Sequence, residues 1–370
     1  MKNNNYIALL LPNLEGGGAE RISVKLANEL IIRGYKVDMV LLSETGPFLE
    51  LLHPQVRIVN LNVVRIRGLF PPLINYFKKN KPEVMLACMW PLTVMALASR
   101  ILTFSSVRVV VAEHVTWSAE QRRYSSFMRL LIRVSMRIFF RAANGIIAVS
   151  YGAADDLARF IGMDRKSISV IYNPVVDSEF IPVKKLELSN FPRWNAAEFR
   201  VLTVGNLKDQ KNHKLLLRAF SLLIKQNVQA HLLILGEGYL RDDLEALALE
   251  LEIQGEVSMP GFVNDPTIYY QNANLFVLSS DWEGLPTVLI EALANGVPVV
   301  STDCPSGPRE ILKDGQFGRL VSMGNDEALA KAMVNSFNDQ YDSSVLKDRA
   351  QDFSVEKATD KYEKLLLGLS

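Results

Sequence analysis

The sequence predicts an α/β protein made of two doubly wound, Rossmann-like domains that face a cleft. Short runs of β-branched residues alternate with longer amphipathic segments, which is typical of parallel βαβ units. The alternation stops over residues 173–198, a segment with three prolines, and then starts again. The chain has 370 residues, which is enough for two domains of ordinary size. Because such sheets bind ligands at the carboxyl ends of their strands, we expect the site to lie in the cleft.

The pattern divides the chain into a first domain, 1–172, a linker, 173–198, and a second domain, 199–353, with a C-terminal helix at about 354–370 that we expect to pack back on the first domain. The predicted strands are 7–11, 37–42, 56–60, 84–88, 107–111, 145–149, 169–171, 200–204, 231–235, 257–259, 275–278, 297–301 and 319–321. The predicted helices between them are 19–33, 73–79, 92–102, 122–141, 153–160, 214–225, 240–251, 266–272, 288–294 and 308–312.

The composition is that of a globular protein from a reducing compartment. Hydrophobic residues make up 49% and charged residues 22% of the chain, which excludes disorder. The two cysteines, Cys88 and Cys304, are too few for a disulfide framework or a thiolate metal site. The uncharged stretch 84–99 is shorter than the roughly 20 residues that a membrane span needs. We therefore expect a cytoplasmic protein.

Positive charge is concentrated in the first half of the chain. Between Arg57 and Arg141 there are 14 basic residues and only three acidic ones, although the whole chain has a net charge of +1. This asymmetry indicates an anionic partner. No helix-turn-helix, zinc-finger or RNA-binding signature accompanies the charge, so we do not expect a nucleic acid.

Two loops that follow predicted strands are suited to binding a phosphate. Gly16, Gly17 and Gly18 follow the first strand and precede a helix, so their amides could approach an anion closely. Gly205 and Asn206 follow the first strand of the second domain, and Lys211 then comes just before a helix, well placed for a diphosphate. A tight turn at the glycines and a solvated lysine remain the alternatives.

The segment from Ser279 to Ala292 includes two glutamates, Glu283 and Glu291, on an otherwise apolar predicted helix and the loop that leads into it. Glu283 follows a buried strand, and Glu291 lies in the next predicted helix, which Pro286 helps to start. Buried carboxylates need polar partners, and the hydroxyls of a sugar and a ribose are suitable ones. His114, just after the strand 107–111, is expected at the cleft, where it is either structural or functional. No metal-ligand cluster and no Asp-x-Asp occurs among these motifs, so no metal is predicted.

At these residues the chain resembles the retaining, nucleotide-sugar-dependent glycosyltransferases of family 4, which have the GT-B fold. The matching motifs are Glu283-Gly284-Leu285-Pro286 with Glu291, separated from Glu283 by seven residues, the loop Gly16 to Arg21, and Lys211-Asn212. The resemblance extends over nearly the whole chain.

The resemblance implies a role for each matched residue. Lys211 would bind the donor diphosphate, Glu283 the sugar hydroxyls and Glu291 the ribose, while the amides of Gly284, Leu285 and Pro286 would face the sugar and phosphate. His114 matches a histidine that contacts the transferred sugar. Asn206 departs from the family, which often has an arginine there, so the positive charge of that arginine toward the phosphate must come from elsewhere or be absent.

The resemblance also implies how the sugar moves and to what. We expect transfer with retention by a front-face route, from a UDP-sugar rather than a GDP-sugar, to a lipid-linked acceptor in bacterial surface-polysaccharide or oligosaccharide assembly. The nucleotide-sugar is a co-substrate, and no cofactor is expected. A nucleotide-sugar epimerase of the same fold and a non-catalytic nucleotide- or sugar-binding module are the alternatives.

One segment of the first domain has the pattern of a helix that binds a membrane surface. The range 121–141 contains six arginines and no acidic residue. Arg129, Arg133, Arg137 and Arg141 recur every four positions, and apolar residues occupy much of the remaining helix surface. We therefore expect Arg122–Arg141 to hold the protein peripherally on the anionic inner face of the cell membrane. The alternative is an ordinary domain helix with its apolar side in the core.

Overall fold

A computed structural model describes residues 6–177 and 191–369 of the chain. The chain divides into two compact units. Unit 1 consists of Met1–Ser178 together with Phe353–Ser370, and unit 2 is Glu179–Asp352.

Unit 1 is built on a parallel sheet of seven strands in the order β3-β2-β1-β4-β5-β6-β7. The strands are β1 (Tyr6–Leu11), β2 (Lys36–Leu41), β3 (Arg57–Asn60), β4 (Val84–Cys88), β5 (Arg108–Glu113), β6 (Gly145–Ala148) and β7 (Ile168–Val170). Every residue of β1 and β4 is buried, as expected for central parallel strands that are covered on both faces. The helices between the strands are α1 (Gly18–Ile32), α2 (Phe70–Asn80), α3 (Leu92–Thr103), α4 (Trp117–Glu120), α5 (Ser126–Phe139) and α6 (Tyr151–Ile161).

Unit 2 is built on a parallel sheet of six strands in the order β10-β9-β8-β11-β12-β13. The strands are β8 (Phe199–Val204), β9 (Ala230–Leu235), β10 (Val257–Gly261), β11 (Leu275–Leu278), β12 (Val299–Thr302) and β13 (Arg319–Val321). Its helices are α7 (Pro192–Ala196), α8 (His213–Ile224), α9 (Arg241–Glu250), α10 (Thr267–Asn272), α11 (Thr287–Ala294), α12 (Pro308–Ile311), α13 (Asp326–Asn338) and α14 (Ser343–Ala350). Each unit therefore has the doubly wound, Rossmann-like fold that the alternating pattern predicts.

The last helix, α15 (Val355–Leu367), belongs to unit 1. Its Tyr362 and Leu366 are buried in the same apolar core as β1 and β4. On its outer side, Arg33 at the end of α1 pairs with Asp360 and Glu363 at 2.7 and 2.9 Å. Apolar packing and this charged contact together hold the C-terminal helix on α1.

The structure differs from the predicted elements in four places. The predicted helix 122–141 is shorter, because Ser125 has an extended backbone and caps α5 at Met128. The predictions omit α4 and the pair α13 and α14; α4 has only four residues, and in α14 few apolar residues mark the helical period. Part of the predicted linker, residues 192–196, forms α7, whose fully buried Trp194 packs edge-on against His231 of β9. Residues 178–190 of that linker lie outside the described residues.

Across residues 6–177 and 191–369, every helix is too short or too polar to cross a membrane.

Candidate functional site

Two loops of unit 2 leave the sheet where its strand order reverses. Strand β8 lies between β9 and β11, so the chain turns to one side of the sheet after β8 and to the other side after β11. The carboxyl ends of strands at such a reversal are the usual ligand site of a doubly wound sheet. The loop 205–212 follows β8 and the loop 279–286 follows β11, so both border this position.

Lys211 and Glu283 form an ion pair between these loops. The Lys211 Nζ lies 2.7 Å from Glu283 Oε1, and the two side chains are only 14% and 8% exposed. Ser280 Oγ donates a hydrogen bond to the same oxygen at 2.6 Å, and Gln210 Nε2 lies 3.4 Å from Oε2. The Glu283 carboxylate is therefore held in one orientation, and Lys211 uses one of its three N–H donors here.

Further hydrogen bonds join the two loops along their backbones. Asn212 Nδ2 donates to Asp281 Oδ1 at 2.9 Å, and the N–H of Asp281 donates to the carbonyl of Gln210 at 2.9 Å. Ser279 Oγ donates to the carbonyl of Lys211 at 2.8 Å. These contacts fix Lys211 relative to the carboxyl end of β11, so the cation is placed before any ligand binds.

Glycines at two positions make this close approach possible. A Cβ on Gly205 would lie 3.1 Å from Cε of Lys211, so the lysine side chain crosses directly over this residue. Gly307 has φ +89°, and a Cβ there would lie 2.4 Å from Cδ of Pro286. The loop before α12 can therefore pack directly against the motif before α11 only with glycine at 307. Asn206, next to Gly205, is exposed and carries no charge. In the loop 205–212, the cation that contacts Glu283 is therefore Lys211.

Glu291 lies one and a half turns into α11, and Tyr270 of α10 donates a hydrogen bond to its Oε2 at 3.0 Å. Both motif carboxylates, which as buried groups need polar partners, therefore accept hydrogen bonds from side chains of the protein. Gly284, Leu285 and Pro286 are buried between the two carboxylates, and α11 begins directly after Pro286.

The glycine loop belongs to unit 1, where it follows β1. Gly17 is the N-terminal cap residue of α1 and has no side chain that could cap this helix end. The Glu20 carboxylate folds back over the loop to the place that a Cβ on Gly17 would occupy. Burial, together with the charge of Glu15, raises the pKa of Glu20 above its ordinary value. An anion that approached Gly16, Gly17 and Gly18 would therefore meet a carboxylate that is easier to protonate than usual.

His114 follows the end of β5 in unit 1, and both of its ring nitrogens are buried without a hydrogen-bond partner among the described residues. Burial lowers the pKa of His114 to about 4, so the ring is neutral at pH 7. The adjacent Glu113 is 1% exposed and accepts a hydrogen bond from Thr93 Oγ1 at 3.2 Å. Burial raises the pKa of Glu113 to about 8. Both neighbours are therefore predominantly uncharged at neutral pH.

Within the described residues, no three His, Cys, Asp or Glu side chains come close enough together to hold a metal ion.

Two family models match the chain in succession. The model for Glycosyltransferase Family 4 matches residues 16–179, and the model for Glycosyl transferases group 1 matches residues 184–353. A Campylobacter jejuni relative is 32% identical over 269 residues, which cover 73% of this chain and 70% of the relative. The chain belongs to the family 4 glycosyltransferases. It is a hexosyltransferase, as its motifs predict.

The named relatives act on lipid-linked glycans. The Campylobacter jejuni relative at 32% identity is the N-acetylgalactosamine-N,N'-diacetylbacillosaminyl-diphospho-undecaprenol 4-alpha-N-acetylgalactosaminyltransferase. A second transferase of the same organism extends a GalNAc-GalNAc-diNAcBac-PP-undecaprenol glycan; it is 29% identical, and the match covers 97% of this chain and 98% of that protein.

A solved structure with the same fold matches nearly the whole chain. HepE of Anabaena, in complex with UDP and glucose, superposes with a TM-score of 0.82 at 20% identity and covers 98% of this chain and 99% of HepE. This likeness confirms the GT-B architecture of two Rossmann-like domains.

Several residues of the site were not singled out from the sequence. Gln210 and Ser280 both contact the Glu283 carboxylate. Gln210 directly precedes Lys211 and Ser280 lies three positions before Glu283, and this nearness in the sequence was the available signal. Tyr270 gave no signal, because nothing in the sequence of α10 relates it to Glu291.

Proposed function

We propose that this glycosyltransferase moves a sugar, with retention and without a metal, from a UDP-sugar to a lipid-linked glycan in bacterial surface-polysaccharide or oligosaccharide assembly. The observation that carries the proposal is the ion pair between Lys211 and Glu283 at the reversal of the unit 2 sheet. It puts one cation and one carboxylate side by side, which suits a donor that has a diphosphate next to a sugar.

The donor would change the partners of both side chains. A diphosphate offers Lys211 more negative charge than one carboxylate does, so the ammonium would turn toward the phosphate oxygens and keep a contact with Glu283. Glu283, still held by Ser280, would accept hydrogen bonds from sugar hydroxyls. Glu291 would accept from the ribose. The UDP bound to the structurally similar Anabaena protein supports uridine as the nucleoside of the donor.

The reaction we propose needs no covalent intermediate on the protein. The bond between the anomeric carbon and the phosphate oxygen breaks, and the acceptor hydroxyl oxygen forms its bond on the same face of the sugar. The acceptor proton passes to the departing phosphate oxygen. Lys211 stabilises the charge that develops on the leaving UDP. Glu283 is bound to Lys211 and Ser280, which suits a positioning group better than a nucleophile.

The acceptor and the location follow from the relatives and from α5. Two relatives act on glycans that are carried by diphospho-undecaprenol, a membrane lipid. In this chain α5 exposes apolar residues and arginines together: Phe127 is 75% and Leu130 60% exposed, and the side chains of Arg133 and Arg137 are exposed as well. An amphipathic helix of this kind would lie in the interface of an anionic membrane. We therefore propose peripheral association with the inner face of the cell membrane.

The decisive experiment measures nucleotide binding and sugar transfer together. We expect calorimetry to show tighter binding of UDP than of GDP, and we expect membranes that contain lipid-linked glycans to accept sugar from a UDP-sugar. Tighter binding of GDP would contradict the donor assignment. Epimerised donor without transfer would indicate the epimerase instead.

The variant Glu283→Gln separates an enzyme from a binding module. The amide keeps the size of the side chain but removes the charge that orients the sugar. UDP should still bind, because Lys211 remains, whereas transfer should fall at least about tenfold, the loss expected for one charge-assisted hydrogen bond. Unchanged biological function of this variant would favour the binding module.

A further inference from the structure

A cavity of about 600 Å³ lies in unit 1 among α4, α5 and α6. Three arginines line it, Arg129 and Arg133 from α5 and Arg159 from α6, against a single carboxylate, Asp156. None of these residues belongs to the donor site of unit 2 or to the matched family motifs. The cavity therefore has an excess of positive charge that the transfer reaction does not explain.

The carboxylate does not neutralise the arginines. Asp156 is 5% exposed and accepts a hydrogen bond from the N–H of Ser118 at 2.9 Å, which ties α4 to α6. No ion pair joins it to an arginine of the cavity within the described parts of the chain. Its partner is a backbone amide, and the terminal guanidinium nitrogens of Arg133 and Arg159 remain available for a ligand.

The arginines differ in how firmly they are held. Arg129 donates from Nε to the carbonyl of Tyr124 at 2.8 Å, so its guanidinium is fixed at the start of α5. Arg159 donates from Nε to the carbonyl of Asp155 at 3.2 Å, which leaves its terminal nitrogens for other partners. Arg133 is exposed and forms no ion pair with any described residue. Guanidinium groups bind phosphate oxygens with two parallel hydrogen bonds, so this set suits a phosphate group.

Apolar groups adjoin the charges on the same helix. Leu130 lines the cavity and is 60% exposed, and it lies between Arg129 and Arg133 in α5. Phe160 of α6 also lines the cavity and stacks on Trp117, with 5.4 Å between the ring centroids. A free phosphate ion would form no favourable contact with the apolar side chains of Leu130 and Phe160. A phosphate ester that carries a hydrocarbon chain would contact both the arginines and Leu130.

We infer that this cavity binds the phosphate group of an anionic membrane lipid whose chain leaves along the exposed apolar side of α5. The shared chemistry is a phosphate group held by guanidinium groups, and we assign it to a lipid headgroup rather than to free phosphate. The inference deepens the proposed function, because it rests on α5 facing a membrane. It adds a site of defined shape to what would otherwise be diffuse attraction by surface charge.

The test compares two double variants that remove the same charge. Arg133→Gln/Arg159→Gln empties the cavity of its two less constrained guanidinium groups. Arg122→Gln/Arg141→Gln removes two exposed arginines that flank α5 and do not line the cavity. The probes are dihexanoyl phosphatidic acid below its micelle concentration and inorganic phosphate, both measured by calorimetry with the full chain.

We expect the unmodified protein to bind dihexanoyl phosphatidic acid at least tenfold more tightly than inorganic phosphate. The cavity variant should lose at least tenfold in affinity for the lipid, and the flanking variant should stay within about twofold. Equal losses in the two variants would overturn the cavity, because only diffuse charge would then matter. Equal affinity for the lipid and for inorganic phosphate would overturn the lipid assignment.

UDP binding by the cavity variant keeps this test separate from the proposed function. Neither Arg133 nor Arg159 is assigned to the donor, so a folded variant should bind UDP with unchanged affinity. Loss of lipid binding with retained UDP binding supports the inference whether or not sugar transfer has been detected. Retained lipid binding by a folded cavity variant would contradict it.

Discussion

Lys211 and Glu283 are 72 positions apart in the chain, yet Nζ of the lysine lies 2.7 Å from Oε1 of the glutamate. Each comes from a loop at the carboxyl end of a neighbouring strand, β8 and β11. An ion pair so well shielded from water is costly to break by removing one partner, because the other charge is then left unpaired. A bound diphosphate can replace part of this contact without leaving either charge alone.

We expect Lys211→Ala to weaken UDP binding at least about tenfold, because a charge-assisted hydrogen bond contributes roughly 1.5–3 kcal/mol. The matched control is Lys214→Ala, which removes a lysine three residues further on that is 42% exposed and pairs with Asp243 at 2.8 Å. Calorimetric titration with UDP should show the loss in the first variant only. Similar affinities for the two variants would show that Lys211 does not bind the diphosphate.

Glu291→Gln should weaken binding of UDP about tenfold and leave binding of pyrophosphate unchanged, since Glu291 is assigned to the ribose and not to the phosphates. Tyr270→Phe should have a smaller effect, because it removes a hydrogen-bond donor to Glu291 and leaves the carboxylate in place. Competition of both ligands against a fluorescent UDP analogue measures the two affinities in one assay. A parallel loss for UDP and pyrophosphate would mean that the helix start, rather than the ribose contact, had been damaged.

The strands could be predicted from the sequence more completely than the helices. All thirteen strands within residues 6–177 and 191–369 were expected, because buried parallel strands such as β4 are continuous apolar runs between polar turns. The short helix α7 was not expected, since only the packing of Trp194 against His231 shows that this segment is part of unit 2.

The two motif glutamates could be found from the sequence, but their partners could not. The sequence indicated Glu283 and Glu291 because carboxylates in an apolar segment after a buried strand are unusual. Their contacts with Lys211 and Tyr270 join segments 72 and 21 residues apart, and only the folded sheet brings such segments together.

Glu113→Gln should stabilise the protein at pH 8 much more than at pH 5. The buried folded-state carboxyl keeps its proton up to a pKa of about 8, whereas the unfolded chain releases it near 4.5. The unfolded state therefore binds fewer protons between these values, and stability falls as the pH rises through this window. The neutral amide removes that loss, a gain of about 2–4 kcal/mol in the free energy of unfolding at pH 8.

Urea unfolding at pH 5 and pH 8 measures this gain, with Glu250→Gln, an exposed position on α9, as the control. The control should change stability equally at both values. A gain for Glu113→Gln that did not depend on pH would contradict the proposed protonation of Glu113.

His114→Asn should lower the turnover number at least about tenfold without changing UDP affinity, because His114 is assigned to the transferred sugar and not to the UDP. The pH profile provides a second readout. Burial lowers the pKa of His114 to about 4, so its ring stays neutral from pH 5.5 to 8 and should add no inflection to kcat/KM in that range. An inflection near pH 6.5 that disappears in His114→Asn would show that the histidine titrates during the reaction.

Ile138→Glu should reduce binding to phosphatidylglycerol vesicles, because it places a negative charge on the apolar side of α5. Ile138 is 60% exposed, and the matched control Leu249→Glu alters a residue of α9 that is 62% exposed and belongs to unit 2. Exposed arginines near an anionic leaflet contribute about 1 kcal/mol each, so vesicle binding by the unmodified protein should also weaken as salt is raised. Sedimentation with neutral and anionic vesicles, each at low and high salt, measures both effects. Equal recovery with both vesicle types at both salt concentrations would refute membrane association through α5 and favour a water-soluble acceptor.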